Sequence, residues 1–473
     1  MLISDIVWGE DSAEKDPNLF QYFINHIALS EFNDRDTSLI VGRKGSGKSA
    51  IRKKLCSYYQ SEGYIIIDSS PSNNNIWCII SDREITKNFD SEVFFQYVWL
   101  RYLLKSALIK VGILRQSTLT SGSLKYARDL AIEAGGANKD IVESASDILT
   151  RVKVKAGKLG DLGLSVEKTM RDVSDVGVLE YHFGELIKKS YKFVFMVDDL
   201  DLGWNNSKTA NNLLLGLLTT DNYLRKVFPQ IVTCIFMRED VYRIILKQTQ
   251  HSDKFRNKVS IKWTDEDLKN LLNQRIDYNY RKNGIPIKSE PFLRVFPPRV
   301  GRNNTLNWLI ERTLGRPREL IQFARIYSQN NHTESPNVQM LRKVEEEYSN
   351  WKLDDLCTEF MYQYPGLDDI FNFWKKKYHK NTYFFEKHEI EDIILTTLAD
   401  VHCDKEWFLE LRESIDIIGF LKVLYQIGFI GDCYNNKIKY SFTDNQKPYF
   451  DSVIIHPCFR KAMEIPDKRI MML

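Results

Sequence analysis

The stretch "SLIVGRKGSGKSAIRKKL", Ser38 to Leu55, constrains this chain more than any other part of it. It fits the spacing G-x-x-x-x-G-K-[S/T], with Gly42, Gly47, Lys48 and Ser49 at the fixed positions. Leu39 to Val41 read as the end of a buried strand, and Ser49 to Tyr59 as the helix that follows. In such a loop the backbone N–H groups of Lys44 to Ser49 turn inward around a β-phosphate, and the helix N-terminus adds its positive end. The candidate nucleotide contacts are therefore Gly42, Arg43, Lys44, Gly45, Ser46, Gly47, Lys48, Ser49 and Ala50. Lys48 is placed to reach the β and γ oxygens, and the Ser49 hydroxyl to bind Mg2+. The bland alternative is a glycine-rich turn that matches by chance; the flanking strand and helix count against it.

A second segment decides whether a bound triphosphate could be turned over. "KFVFMVDDLDLGW", Lys192 to Trp204, is an apolar strand that runs into Asp198, Asp199 and Asp201. It suits a parallel core strand whose C-terminal end faces a ligand. One carboxylate there must hold the magnesium, directly or through water, and another must polarise the attacking water. Asp198 is assigned the first role and Asp199 the second. Asp201 could orient either of them or act across a subunit boundary. Taken alone, the segment could equally be a strand entering a solvated acidic loop.

The phosphate loop, "VDDLDLGW", "VTCIFMREDVY", "IKWTDEDLKNLLNQRI", "GRPRELIQFAR" and "IHPCFRKAM" together resemble a family of prokaryotic P-loop ATPases found in phage-defence loci. More broadly the chain is similar to the STAND and origin-recognition branches of the AAA+ class, over roughly Leu19 to Met463. The resemblance implies a defence role and ATP as the nucleotide. Related ATPases often carry Glu where Asp199 stands; Asp is one methylene shorter, which implies slow hydrolysis. In AAA+ relatives the strand after the acidic one ends in a polar residue that senses the γ-phosphate, and Arg238 matches that position. Arg238 could instead only pair with Asp240 or Glu239. An R-P-R element at the start of a lid helix contacts nucleotide in the resembled family, and Arg316, Pro317 and Arg318 match it. Arg318 could equally be a capping residue or a DNA contact. Arg256 is a candidate to reach a neighbouring subunit's nucleotide.

At 473 residues the chain is long enough for two or three domains. A net charge of +3 argues against a wholesale basic footprint for nucleic acid while leaving room for a local patch. The 7 cysteines lie without a C-x-x-C pair, the pattern of free thiols in a reducing cytosol. No apolar run approaches the ~20 residues that span a bilayer. The acidic start, "MLISDIVWGEDSAEKD", lacks the basic region of a secretion signal. The expected location is cytoplasmic, with no membrane partner.

The expected organisation is an α/β P-loop NTPase core with a parallel sheet over 1–260, AAA+/STAND-like. A helical and hairpin segment is inserted around 104–180. "NLFQYFINHIALSEF" reads as a lead-in helix, Tyr64 to Asp68 as a second strand, and Val93 to Ile113 as a helix on the sheet. Within the insertion, Arg151 to Lys168 alternates on either side of Gly157 and Gly160 as a hairpin would, with Lys153, Lys155 and Lys158 on or near an exposed face. That hairpin could be plainly solvated or could contact a subunit or nucleic acid. Gln230 to Asp240 reads as the next core strand.

Residues 261–343 are expected to form a helical lid. Thr264 stands ahead of acidic residues, and Leu268, Leu271, Leu272 and Ile276 share one helix face. Residues 344–473 are expected to form a winged-helix-like domain: a helix over Phe420 to Ile427, strands in "FIGDCY" and "KIKYSFT" joined at Asn435 and Asn436, and a third strand in "FDSVIIHP". The wing carries Lys437, Lys439 and Lys447, whereas the helix before it has only Lys422, which favours protein contact over DNA. His456 reads as a core or turn histidine.

Three functions follow. The first is an oligomeric ATPase that drives or times a defence complex through a partner effector. The second is a slowly hydrolysing nucleotide-gated scaffold, and the third a duplex-DNA loader or sensor using the winged helix. The sequence has no H-E-x-x-H and no paired H-x-E and C-x-x-C, which supports a need for a separate effector. No guanine-reading N-K-x-D stands in a suitable place, so adenine is the default.

Overall fold

The computed structural model describes residues 1–10, 12–32, 37–70, 78–115, 121–135, 141–156, 171, 174–201, 203–249, 252–287, 290–378, 382–435, 437–443 and 447–466. They divide into two compact units. One holds residues 12–14 and 25–262; the other holds 1–11, 15–24 and 263–473.

The unit of residues 25–262 is built on five strands: β1 (Leu39–Gly42), β2 (Ile65–Asp68), β3 (Phe193–Val197), β4 (Val232–Arg238) and β5 (Lys258–Ser260). Their order in the sheet is β2-β3-β4-β1-β5, and all neighbours run parallel. Every residue of β1 and β3 is buried, as strands covered on both faces require, which explains their unbroken apolar runs. Gly42 pairs with Arg238 and Val197 with Ile235, so β4 separates the glycine loop's strand from the acidic strand.

Helix α1 (Ile27–Phe32) and helix α2 (Lys48–Ser61) flank β1 in sequence. Helix α3 (Glu92–Leu114) is buried on nearly all sides, because α4 (Gly122–Glu133), α5 (Ile141–Ala156), α6 (Val176–Lys188) and α7 (Lys208–Val227) pack around it. Helix α8 (Glu239–Gln248) follows β4 directly.

Two expectations fail here. The segment from Arg151 to Ala156 continues α5 and is not a hairpin strand. Ile141, Ala145, Ile148 and Leu149 are buried at helical spacing, and that period carries the chain past the short Val-Lys alternation. Residues 157–170, with Lys158 and the expected turn, lie outside the described residues. The lead-in helix is also broken: a 3-10 turn at Leu19–Gln21 and α1 are separate pieces, and the chain passes from one unit to the other between them. His26 ends the break, accepting from the Ala28 N–H at Nδ1 (3.1 Å) while Nε2 meets the Lys262 carbonyl at 2.7 Å.

In the other unit, α9 (Asp265–Lys282) opens with a capping box: Thr264 Oγ1 accepts from the Asp267 N–H (3.1 Å), and Asp267 accepts from the Thr264 N–H (3.0 Å). Then come α10 (Pro291–Val295), a ladder of β6 (Arg299–Val300) with β7 (Asn303–Asn304), α11 (Thr305–Ile310), α12 (Pro317–Asn330) and α13 (Val338–Glu359). Helix α13 runs unbroken through residues 343 and 344, where a boundary between lid and C-terminal domain was expected. Beyond it lie α14 (Leu367–Tyr378), β8 (Phe384–Glu386), α15 (Lys387–Asp400), α16 (Glu406–Ser414), α17 (Ile417–Gln426), β9 (Ile430–Tyr434), β10 (Lys437–Lys439), β11 (Ser452–Ile455) and α18 (Pro457–Arg460).

The last strands form an antiparallel sheet in the order β10-β9-β11-β8. The three expected strands are present, and β8 joins them from well upstream. Asn435 has a left-handed φ of 49°, as a tight turn asks; Asn436 lies outside the described residues. His456 is buried and caps α18, its Nδ1 accepting from the Cys458 N–H at 3.3 Å. One apolar core runs through this unit, from Ile3, Ile6 and Trp8 to Phe323, Tyr348, Phe429 and Phe459.

Candidate functional site

The glycine loop leaves β1 and enters α2 through Gly45 (φ 74°) and Gly47 (φ 95°), both in the region that side chains disfavour. The Ser46 N–H donates to the Arg43 carbonyl at 3.1 Å, which closes the turn. A Cβ on Gly42 would collide with Ser46 Oγ and sit 3.2 Å from the Ile261 side chain, so a larger residue there would force the Ser46 side chain to move and crowd Ile261. Lys48 Nζ donates to the carbonyls of Gly42 and Arg43, each at 3.1 Å. The ammonium thus lies inside the loop it helps to shape. Ser46 is buried; Arg43, Lys44, Ser49 and Ala50 are half-buried.

Asp198 follows β3 and is 2% exposed. Its backbone N–H donates to Ser70 Oγ (3.1 Å), Oδ1 accepts from the Asp199 N–H (2.9 Å), and Oδ2 accepts from Ser49 Oγ (3.2 Å). Residues remote in sequence, one from the loop and one from the acidic strand, therefore meet through a hydroxyl and a carboxylate. Burial raises the Asp198 carboxyl above the ordinary range, opposed by the Lys48 charge. Asp199 has a left-handed φ of 58°, which Asp tolerates better than longer side chains do. Its carboxyl is pushed up to about 6, by burial first and then by the charges of Asp198 and Asp201.

Arg238, at the end of β4, donates from Nε to Asp240 Oδ1 at 2.7 Å and makes a second bond to Asp240 Oδ2; its guanidinium also stands 3.5 Å from Asp201 Oδ2. Glu239 is taken by Arg243 at 2.6 Å. Of the two alternative partners foreseen for Arg238, Asp240 is the one observed. Arg256 is exposed beside a 3-10 turn at Ser252–Phe255.

In the other unit, Arg316 is 4% exposed and bound to Glu359 (2.6 Å), with Glu319 at 3.5 Å. Lys352, fully buried, reaches Glu319 (2.9 Å) and Asp355 (3.0 Å) in the same network. Arg318 keeps about a third of its side chain exposed (34%), with only a 3.8 Å contact to Asp355.

Sequence reasoning missed Arg52, Asp68 and Ser70. Asp68 ends β2 beside β3, and Arg52 lies one turn beyond Ser49 on the same face of α2. The "YIIID" ending was the available signal for Asp68.

Ser49 Oγ and Asp198 Oδ2 are hard oxygen donors suited to Mg2+, which takes one or two carboxylates and completes its shell with phosphate and water. Among the described residues no group of three or more His, Cys, Asp or Glu could hold a metal ion unaided. No described helix is long and apolar enough to cross a membrane.

A parallel sheet with a glycine loop after its β1 strand and a buried carboxylate facing that loop defines a phosphate-loop α/β fold. Residues 266–357, essentially α9 to α13, match the family described as FunZ-associated C-terminal helical domain. A protein named for transposon gamma-delta, of 80.3 kDa, from Escherichia coli (strain K12), is 24% identical over 96% of this chain. The chain spans 66% of that relative's length. A solved structure of the Aeropyrum pernix ORC2 protein, titled as ADPNP-ADP complexes, aligns with 95% of this chain and 96% of its own, at a TM-score of 0.45 and 12% identity.

Proposed function

We propose that the chain binds ATP with Mg2+ in the loop from Gly42 to Ala50 and hydrolyses it, slowly, as a regulatory or motor subunit of a prokaryotic anti-phage defence complex. The observation that carries the nucleotide reading is the 3.2 Å bond from Ser49 Oγ to Asp198 Oδ2, which joins the loop to the acidic strand. Magnesium bound there supplies charge neutralisation of the phosphates. Lys48 would exchange its carbonyl partners for phosphate oxygens, Asp199 would take the proton of the attacking water, and Arg238 would stabilise charge on the transferred group. Arg316 and Arg318 remain nucleotide contacts proposed from the motif alone, and of the two Arg318 is the more exposed.

Oligomerisation, a separately encoded effector, a cytoplasmic location and the defence setting rest on the resemblance of the motifs. The transposon name of the Escherichia coli relative is consistent with a setting among mobile genetic elements. The test is phosphate release from ATP by the wild type, Lys48→Ala and Asp199→Ala, with nucleotide binding measured in parallel. Binding that vanishes in Lys48→Ala and turnover that vanishes in Asp199→Ala support the reading. Wild-type binding and turnover in Lys48→Ala would refute it. Tight ATP binding without turnover in the wild type would favour the scaffold.

A second reading, duplex-DNA engagement through a winged-helix-like end, is favoured by the hairpin of β9 and β10. Tyr434 and Tyr449 stack at 4.7 Å and are 38% and 62% exposed, and Lys437 pairs across from Tyr434. Exposed aromatic rings beside lysines suit nucleic acid. Duplex binding whose affinity falls steeply with salt, and is lost in a Lys437/Lys439/Lys447 triple alanine variant, would support this second reading.

A further inference from the structure

Arg52 is the residue of the loop helix that neither the phosphate motif nor the acidic motif accounts for. Its guanidinium spans three carboxylates: Nε is 3.5 Å from Asp198 Oδ2, Nη1 is 2.5 Å from Asp68 Oδ2, and Nη2 is 3.5 Å from Glu14 Oε1. Asp198 Oδ2 is also the oxygen that accepts from Ser49 Oγ. The oxygen best placed to bind a divalent cation is thus already beside a fixed monovalent one. Asp68 and Glu14 hold that cation from its far side, and Lys53 Nζ fixes the Glu14 segment by donating to the carbonyls of Ala13 (2.6 Å) and Glu14 (3.1 Å).

We propose that Arg52 is the resident counter-cation of the magnesium site, a positioning residue that competes with Mg2+ for Asp198 and so makes metal entry depend on a bound nucleotide's phosphates. The inference rests on the nucleotide-binding reading above and deepens it. Without Arg52, Asp198 would lose a guanidinium partner, and so would Asp68 and Glu14, leaving Lys48 to offset the Asp198 charge while Arg238 stays engaged by Asp201 and Asp240. The uncompensated negative charge would then draw a divalent ion to Asp198 more strongly than the wild-type site does. With Arg52 in place, Asp198 is already compensated, and the metal gains enough only when phosphate oxygens complete its shell. Asp68 and Glu14 set the balance: the more firmly they hold the guanidinium, the more of Asp198 is left to the metal.

Two variants should therefore move metal affinity in opposite directions. Calorimetric titration of the full chain with Mg2+ alone, and with Mg2+ in the presence of ADP, reads this without reference to turnover. Arg52→Gln is expected to bind Mg2+ alone about tenfold more tightly than the wild type. Asp68→Asn, which leaves the guanidinium to settle on Asp198, is expected to need about fivefold more Mg2+ when ADP is bound. Arg52→Lys should restore near-wild-type behaviour. Shifts of Arg52→Gln and Asp68→Asn in the same direction, or no shift in either, would overturn the proposal. If Arg52→Gln fails to fold, Asp68→Asn and Arg52→Lys still decide it. A wild type that binds no nucleotide would refute the nucleotide reading and leave the titration with Mg2+ alone to judge Arg52.

Discussion

Arg238 and Asp240 form a two-bonded ion pair at the end of β4, with Arg238 Nε 2.7 Å from Asp240 Oδ1. Gly42 pairs with Arg238 across the sheet, so the end of β4 stands beside the start of the glycine loop. In the proposed role, the guanidinium would loosen from Asp240 to meet a phosphate. Arg238→Ala is expected to lower kcat about a hundredfold while nucleotide affinity changes less than about threefold. Asp240→Asn, which weakens the hold, should leave kcat at or above the wild-type value. Steady-state kinetics together with equilibrium binding separates these outcomes.

The left-handed φ of 58° at Asp199 gives a reason for a short carboxylate at this position. Glu would reach further towards an attacking water but fits that backbone less well, at a cost of about 1 kcal/mol. Asp199→Glu is therefore expected to hydrolyse ATP faster than the wild type and to melt at a lower temperature. Turnover and thermal denaturation of the same preparation check both halves.

Arg316→Ala and Arg318→Ala should differ in kind. Removing Arg316 leaves Glu359 and Glu319 buried without their guanidinium partner, and loss of one member of a buried ion pair costs about 3–5 kcal/mol. Arg318 is partly exposed and weakly paired, so its removal should change stability by less than about 1 kcal/mol. Chemical denaturation of the two variants, followed by nucleotide binding for Arg318→Ala, tells structural loss from lost contact.

Asp221 on α7 accepts from Ser38 Oγ at 2.5 Å and from Thr233 Oγ1, pinning the approaches to β1 and β4. Burial raises its carboxyl above the usual range, so the folded state binds this proton more tightly than the unfolded chain does. The stability it confers is then full below the unfolded carboxylate range and declines as pH rises through the raised folded value. Wild type minus Asp221→Asn stability, measured from about pH 4 upward, should fall with pH. A difference that stays flat or grows would contradict the assignment.

The loop at Gly42 to Ser49, the buried run of β3 and the capped start of α9 at Thr264 were legible because each is written in a few consecutive residues. Their partners were not. Asp68 and Ser70 join the site only because the sheet order sets β2 beside β3, and no spacing in the chain records that adjacency; Arg52 stands one turn from Ser49, but the carboxylates it meets come from elsewhere in the chain. The Val-Lys alternation before Ala156 misled for the opposite reason: a local period of two was overruled by the apolar stripe of the helix it ends. Strand β8 escaped notice because three residues paired to a strand far downstream carry no pattern of their own.

The residues at Ile3, Ile6 and Trp8 belong to a core completed only by chain beyond residue 262, and Trp8 Nε1 donates to Ser328 Oγ at 2.9 Å. The sheet unit is thus an insertion within the other unit. On a ribosome adding ~5–20 residues per second, the opening segment waits some tens of seconds for its partners to be synthesised, with an indole and two isoleucines uncovered. The whole sheet unit can fold in that interval. A nascent chain of this design can complete the sheet unit before the rest of the other unit is synthesised, and the segment from Ile3 to Trp8 is the stretch a chaperone would have most reason to hold.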